Sequence, residues 1–78
     1  MRHRVKLPRL GDTTQTVLVA EWFVDVGDKV ATGAPLMLVE TDKVTTEVPS
    51  PVAGVLVEQL VGAQEEIDVG DSICVIEV

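Results

Sequence analysis

Leu18-Val19-Ala20-Glu21 and Val55-Leu56-Val57-Glu58 are the same pattern written twice, three apolar residues followed by glutamate, 37 positions apart. Carried outward without a gap, that offset lays Phe23-Val24 on Leu60-Val61, Val30 on Ile67 and Gly33 on Gly70. It also lays Leu36 on Ile73 and Leu38-Val39-Glu40 on Val75-Ile76-Glu77. Glycine and glutamate positions coincide along with the apolar ones, so the match exceeds what a valine-rich composition produces by chance, and the chain reads as two similar halves. Either half alone has too little core. The expectation is that they pack face to face about a pseudo-two-fold axis.

The apolar runs are short: Val17 to Ala20, Val30, Leu36 to Val39, Val44 to Val48, Val55 to Val57, Ile67, and Ile73 to Val78. Valine and isoleucine favour extended backbone, and these runs are too short for helices of about 10 residues. Turn residues divide them at Gly11-Asp12, Gly27-Asp28, Gly33, Gly54, Gly62 and Gly70-Asp71. Pro49-Ser50-Pro51 predicts a strand break or sheet corner, because proline cannot donate to a strand ladder. The fold class predicted is all-β, a sandwich or barrel.

Composition narrows the function. The chain of 78 residues is read as one domain over residues 1–78. Its 3% aromatic content leaves no base-stacking platform, and its net charge of −7 repels phosphate backbones and anionic membrane surfaces, so neither nucleic acid nor membrane is an expected partner. No apolar run is long enough to span a bilayer, and Met1-Arg2-His3-Arg4 leads into a strand-like run instead of a signal peptide. His3 is the single histidine and Cys74 the single cysteine, so no metal site is expected. Cys74, between Ile73 and Val75, reads as a buried, inert thiol. Trp22 and Phe23 are expected in the core or along its rim. Ser50 has no histidine nearby in sequence and no Gly-x-Ser-x-Gly elbow, so it implies no nucleophile.

Thr41-Asp42-Lys43-Val44 separates two strand-like runs and reads as a hairpin tip. Under the 37-residue offset Lys43 falls on position 6 in one direction and just past Val78 in the other. If the axis holds, the first and last residues meet at one pole and Lys43 projects from the opposite one. Taken alone, that spacing also suits a solvated turn lysine.

Glu40-Thr41-Asp42-Lys43-Val44, followed by Glu47-Val48-Pro49-Ser50-Pro51 and Gly54, resembles the lipoyl-attachment motif of the acyltransferase (E2) components of 2-oxo acid dehydrogenase complexes. The resemblance extends through Leu7-Pro8-x-Leu10-Gly11-Asp12, Trp22, Val26-Gly27-Asp28-x-Val30 and Val69-Gly70, nearly the whole chain. It implies a flattened barrel of two antiparallel sheets, with lipoate amide-linked to Lys43 on an exposed hairpin. It implies further that Asp42 and Val44 flank the lysine as recognition residues, with a possible recognition role for Glu40. Glu40 and Glu47 would present an acidic face to partners or simply solvate the adjoining strands. The partners implied are a lipoate ligase or lipoyl transferase, a thiamine-dependent dehydrogenase (E1), the acyltransferase core (E2) and dihydrolipoyl dehydrogenase (E3). The chain itself is expected to catalyse nothing; the cofactor carries the chemistry.

Two other readings share this fold. A biotin carrier is similar, but its motif places methionine on both sides of the lysine, where this chain has Asp42 and Val44. An unmodified interaction module would not need the Glu-Thr-Asp-Lys-Val sequence. The chain departs from the family at Thr16-Val17, where a glycine is usual before the strand, and at Gln64-Glu65-Glu66, where a Gly-Asp turn is common. It ends at Val78 with no linker or acyltransferase segment, which suggests an excised domain or a free-standing carrier. The expected location is the cytoplasm, or the mitochondrial matrix for a domain excised from a eukaryotic protein.

Overall fold

The computed structural model describes residues 1–8, 16–41 and 44–78. Among them are eight strands and no helix: β1 (Arg2–Lys6), β2 (Thr16–Trp22), β3 (Lys29–Val30), β4 (Pro35–Glu40), β5 (Thr45–Pro49), β6 (Gly54–Gln59), β7 (Glu66–Asp68) and β8 (Ser72–Glu77). They form two antiparallel four-stranded sheets, ordered β1-β8-β6-β3 and β5-β4-β2-β7. The molecule is elongated, 34 × 20 × 17 Å.

Alternation decides which side chains of β2 are buried, whereas β8 is buried on both faces from Ile73 to Ile76. Val17 and Val19 of β2, Val39 of β4, Val48 of β5 and Leu56 of β6 face inward and meet Ile67, Ile73 and Ile76 in a single aliphatic core. Each such side chain contributes about 1.5–3 kcal/mol on burial. Trp22 is half-buried against this core, and its indole Nε1–H donates to the Val61 carbonyl at 3.1 Å. Phe23, by contrast, is 41% exposed.

The duplication predicted from sequence extends to the hydrogen bonds. Leu18 pairs with Glu40 as Val55 pairs with Glu77, and both ladders slip at the same place, one residue after Val19 and one after Leu56. Gly27 N–H donates to Leu56 O at 2.7 Å, and at the equivalent place Gln64 N–H donates to Val19 O at 2.6 Å. The Trp22–Val61 bond has its counterpart in Gln59 Nε2 donating to Val24 O at 2.9 Å.

The halves do not lie face to face as expected. Each sheet holds strands from both, because the segment after β2 crosses to the other sheet and runs along β6 as β3, while the segment after β6 crosses back and runs along β2 as β7. The exchange gives the outer edge of each half a partner strand that its own half cannot supply. The remaining edges are blunted: β1 carries Arg2, Arg4 and Lys6 on its exposed face, and β5 ends in Pro49.

Candidate functional site at the β4–β5 connection

The path of the chain fixes where this connection lies. Val30 pairs with Gly54 and Val55 with Glu77, so β3 sits beside the meeting point of Met1 and Val78. A tight turn, closed by Ala34 N–H donating to Ala31 O at 3.0 Å, leads directly into β4. Strand β4 therefore starts at that pole and runs away from it, and its end at Glu40 lies at the opposite one. This agrees with the expectation that the two poles of the sandwich separate the ends of the chain from the hairpin.

At the far pole Glu40 faces Thr45 as the last ladder pair of β4 and β5. Beyond it Thr41 N–H donates to Val44 O at 2.8 Å. The Thr41 hydroxyl adds two further links: it donates to Val44 O at 3.0 Å and accepts from Val44 N–H at 3.1 Å. Val44 is 57% exposed, as Val78 is at the other pole with 52%. Positions 42 and 43 connect these two clamped residues. Asp42 and Lys43, the residues on which the functional expectation rests, lie outside the described residues.

Glu40 and Glu47 are both exposed and share the outer face of their sheet, Glu47 opposite Leu38 and Glu40 two residues further along the same strand. Glu21 and Glu66 join them there, paired with Leu38 and Leu18. The strands of that sheet carry no lysine or arginine, whereas the other sheet carries Arg2, Arg4, Lys6 and Lys29 against Glu58 and Glu77. The two outer faces thus differ in sign of charge, a distribution that orients an approaching charged partner.

Other residues weighed from sequence have structural roles. Ser50 is 2% exposed, and its hydroxyl donates to Val52 O at 2.6 Å. Cys74 is fully buried in the core, and desolvation pushes its thiol up to about 11, away from the thiolate range. Among the described residues no group of three His, Cys, Asp or Glu side chains converges as a metal-binding set. The feature that sequence reading passed over is the Thr41 hydroxyl: the available signal was a threonine opening a two-residue turn, a position at which short hydroxyl side chains bond back to the main chain.

This fold defines a β-sandwich module built from a duplicated strand pattern, with the β4–β5 connection at the pole opposite Met1 and Val78. The model of the biotin/lipoyl family, described as "Biotin-requiring enzyme", matches residues 3–76, and the chain belongs to that family. It is 42% identical over 76 residues to the dihydrolipoyllysine-residue acetyltransferase component of the pyruvate dehydrogenase complex of Corynebacterium glutamicum, a match covering 97% of this chain and 11% of the relative. It is also 42% identical over 69 residues to the dihydrolipoyllysine-residue succinyltransferase component of the 2-oxoglutarate dehydrogenase complex of Bartonella vinsonii subsp. berkhoffii, covering 88% of this chain and 17% of the relative. The chain therefore spans less than a fifth of these acyltransferase components.

Among solved structures the fold matches the lipoyl domain of the 2-oxoglutarate dehydrogenase complex from Azotobacter vinelandii, with a TM-score of 0.75 at 24% identity, covering 96% of this chain and 95% of that one. It matches a single-chain, multi-domain long-chain acyl-CoA carboxylase equally well, with a TM-score of 0.77 at 22% identity, covering 95% of this chain and 7% of that one. The architecture is common to both kinds of protein.

Proposed function

We propose that the chain is a lipoyl carrier domain in which lipoate, amide-linked to the Nζ of Lys43, serves as a swinging arm between the E1, E2 and E3 active sites of a 2-oxo acid dehydrogenase complex. The observation that carries the reading is the sequence Glu40-Thr41-Asp42-Lys43-Val44 at the end of the β4–β5 pair, at the pole opposite Met1 and Val78. Asp42 and Val44 in place of methionines favour lipoate over biotin. Relatives whose names specify a dihydrolipoyllysine residue, at 42% identity, support the same choice.

When attached, the dithiolane supplies acyl and electron carriage. The chain's own part is to offer one primary amine on a long aliphatic stem and to keep the neighbouring strand ends rigid. Asp42, Val44 and Glu40 are assigned to recognition by the lipoate ligase or lipoyl transferase. The acidic outer face with Glu21, Glu40, Glu47 and Glu66 is assigned to steering toward partner subunits. Tethering to a larger chain would hold the arm near several active sites at an effective concentration of about millimolar. The proposed location is the cytoplasm, and catalysis belongs to the partners.

Intact-protein mass spectrometry tests this. Incubation with lipoate, ATP and a lipoate ligase should add one lipoyl group to the wild type and none to Lys43→Ala, while biotin ligase with biotin should add nothing. Labelling of the alanine variant would move the site elsewhere, and efficient biotinylation would replace the lipoyl reading with the biotin carrier.

A further inference from the structure

The internal repeat supplies a control for the hairpin within the same molecule. Thr41 corresponds to Val78, and Val44 corresponds to Met1, since Glu40 pairs with Thr45 as Glu77 pairs with Arg2. The backbone link is the same at both poles: Thr41 N–H to Val44 O at 2.8 Å, and Val78 N–H to Met1 O at 2.8 Å. At the Met1 pole the terminal amino group adds a second bond, to Val78 O at 3.1 Å, so that pole is closed by main-chain groups without any side-chain hydroxyl. The two hydroxyl bonds between Thr41 and Val44 are an addition, and position 78, a valine, has no side-chain group that makes them.

We propose that the Thr41 hydroxyl is a positioning element for modification: by bonding Val44 at both its N–H and its carbonyl it sets the spacing across which positions 42 and 43 are presented to the lipoylating enzyme. The inference rests on the Lys43 reading and deepens it. A hydroxyl donates and accepts at once, so a single side chain holds both polar groups of Val44. Threonine's branched Cβ restricts its χ1, so little side-chain freedom is lost in doing so. An enzyme that must take up one particular lysine gains when the residues flanking the turn, Thr41 and Val44, are already linked and need not be ordered on binding.

The test compares Thr41→Val, which keeps the shape and branching but removes the hydroxyl, with Thr41→Ser, which keeps the hydroxyl. Two quantities are read: kcat/KM of a lipoate ligase for the unmodified chain, and the hydrogen-exchange rate of the Val44 amide. Loss of hydroxyl bonds of ordinary strength should lower kcat/KM about tenfold in Thr41→Val and speed Val44 exchange by a similar factor. Thr41→Ser should stay within about threefold of wild type in both, as expected where the hydroxyl bonds are kept. Wild-type kcat/KM in Thr41→Val would overturn the proposal even if the melting temperature fell, since that is what a purely structural role gives. Equal impairment in valine and serine variants would overturn it too, because the hydroxyl would then not be the cause. If the wild type accepts no lipoate while its Val44 amide is slow to exchange, the clamp exists but the Lys43 reading fails and takes the positioning role with it.

Discussion

The two poles of this sandwich are built from the same ladder and differ in what completes it. At one pole Val78 and Met1 close β8 against β1 through two main-chain bonds, Val78 N–H to Met1 O and the Met1 amino group to Val78 O; at the other Thr41 and Val44 close β4 against β5 through one backbone bond and two from the Thr41 hydroxyl. At the second pole the chain runs on through Asp42 and Lys43, two residues for which the repeat offers no counterpart. In a duplicated scaffold the residues that break the symmetry are the ones to question for function or strain.

Gly54 breaks it most severely. Its equivalent in the other half is the buried Val17, yet a Cβ at position 54 would collide with the Glu77 carbonyl oxygen and meet Ile76 Cγ2 at 2.8 Å. The sheet is drawn together beside Met1 and Val78 and not beside the hairpin. Gly54→Ala should therefore destabilise by about 3 kcal/mol, whereas Val17→Ala acts only through its lost side chain. Urea unfolding of both measures this, and an alanine tolerated at 54 would show that the two poles are equally roomy.

Ser50 gives a smaller contrast. It takes the place of Leu7: Ser50 N–H donates to Ala34 O and Gly33 N–H to Ser50 O, as Leu7 N–H donates to Asp71 O and Gly70 N–H to Leu7 O. Both side chains are buried, one apolar and one bonded to Val52. Ser50→Ala should cost about 1 kcal/mol in the same unfolding measurement, and no detectable cost would mean that the Val52 bond contributes nothing.

Gln64 gives the smallest. It stands where the first half has Gly27, and both adopt a left-handed backbone, with φ of 69° for Gln64 and 101° for Gly27. Glutamine is strained there and glycine is not. Gln64→Gly should stabilise by up to about 1 kcal/mol, less whatever the Gln64 Nε2 bond to Ala20 O at 3.2 Å returns. A destabilised variant would mean that the side-chain bond outweighs the backbone strain.

Much of this was legible from residues alone. The 37-residue offset exposed the pairing of β2 with β6, β3 with β7 and β4 with β8 as equivalents, because apolar, glycine and glutamate positions all coincide. The equivalence of β1 and β5 stayed hidden. Their offset is 43, since the β1–β2 connection carries six more residues than its counterpart, and Arg2-His3-Arg4 bears no resemblance to Thr45-Thr46-Glu47, residues that are exposed or only half-buried. The exchange of β3 and β7 between sheets was also illegible: the pattern of apolar residues says which side faces the core, not which neighbouring strand is paired. Phe23 shows the limit of residue type as a guide to burial, since its position follows the slip in the ladder after Val19 and lies at the surface. At the candidate site the motif named Lys43 and its neighbours, while the hydroxyl clamp at Thr41 required coordinates.

The central claim is that a single amine, on the residue added to one pole, is the point of attachment. The chain contains three lysines, Lys6, Lys29 and Lys43. Fragmentation mass spectrometry of the wild-type chain after reaction with lipoate ligase, lipoate and ATP locates the modification directly. The account predicts that every lipoyl group maps to Lys43; a lipoyl group found on Lys6 or Lys29, or on none of the three, would contradict it.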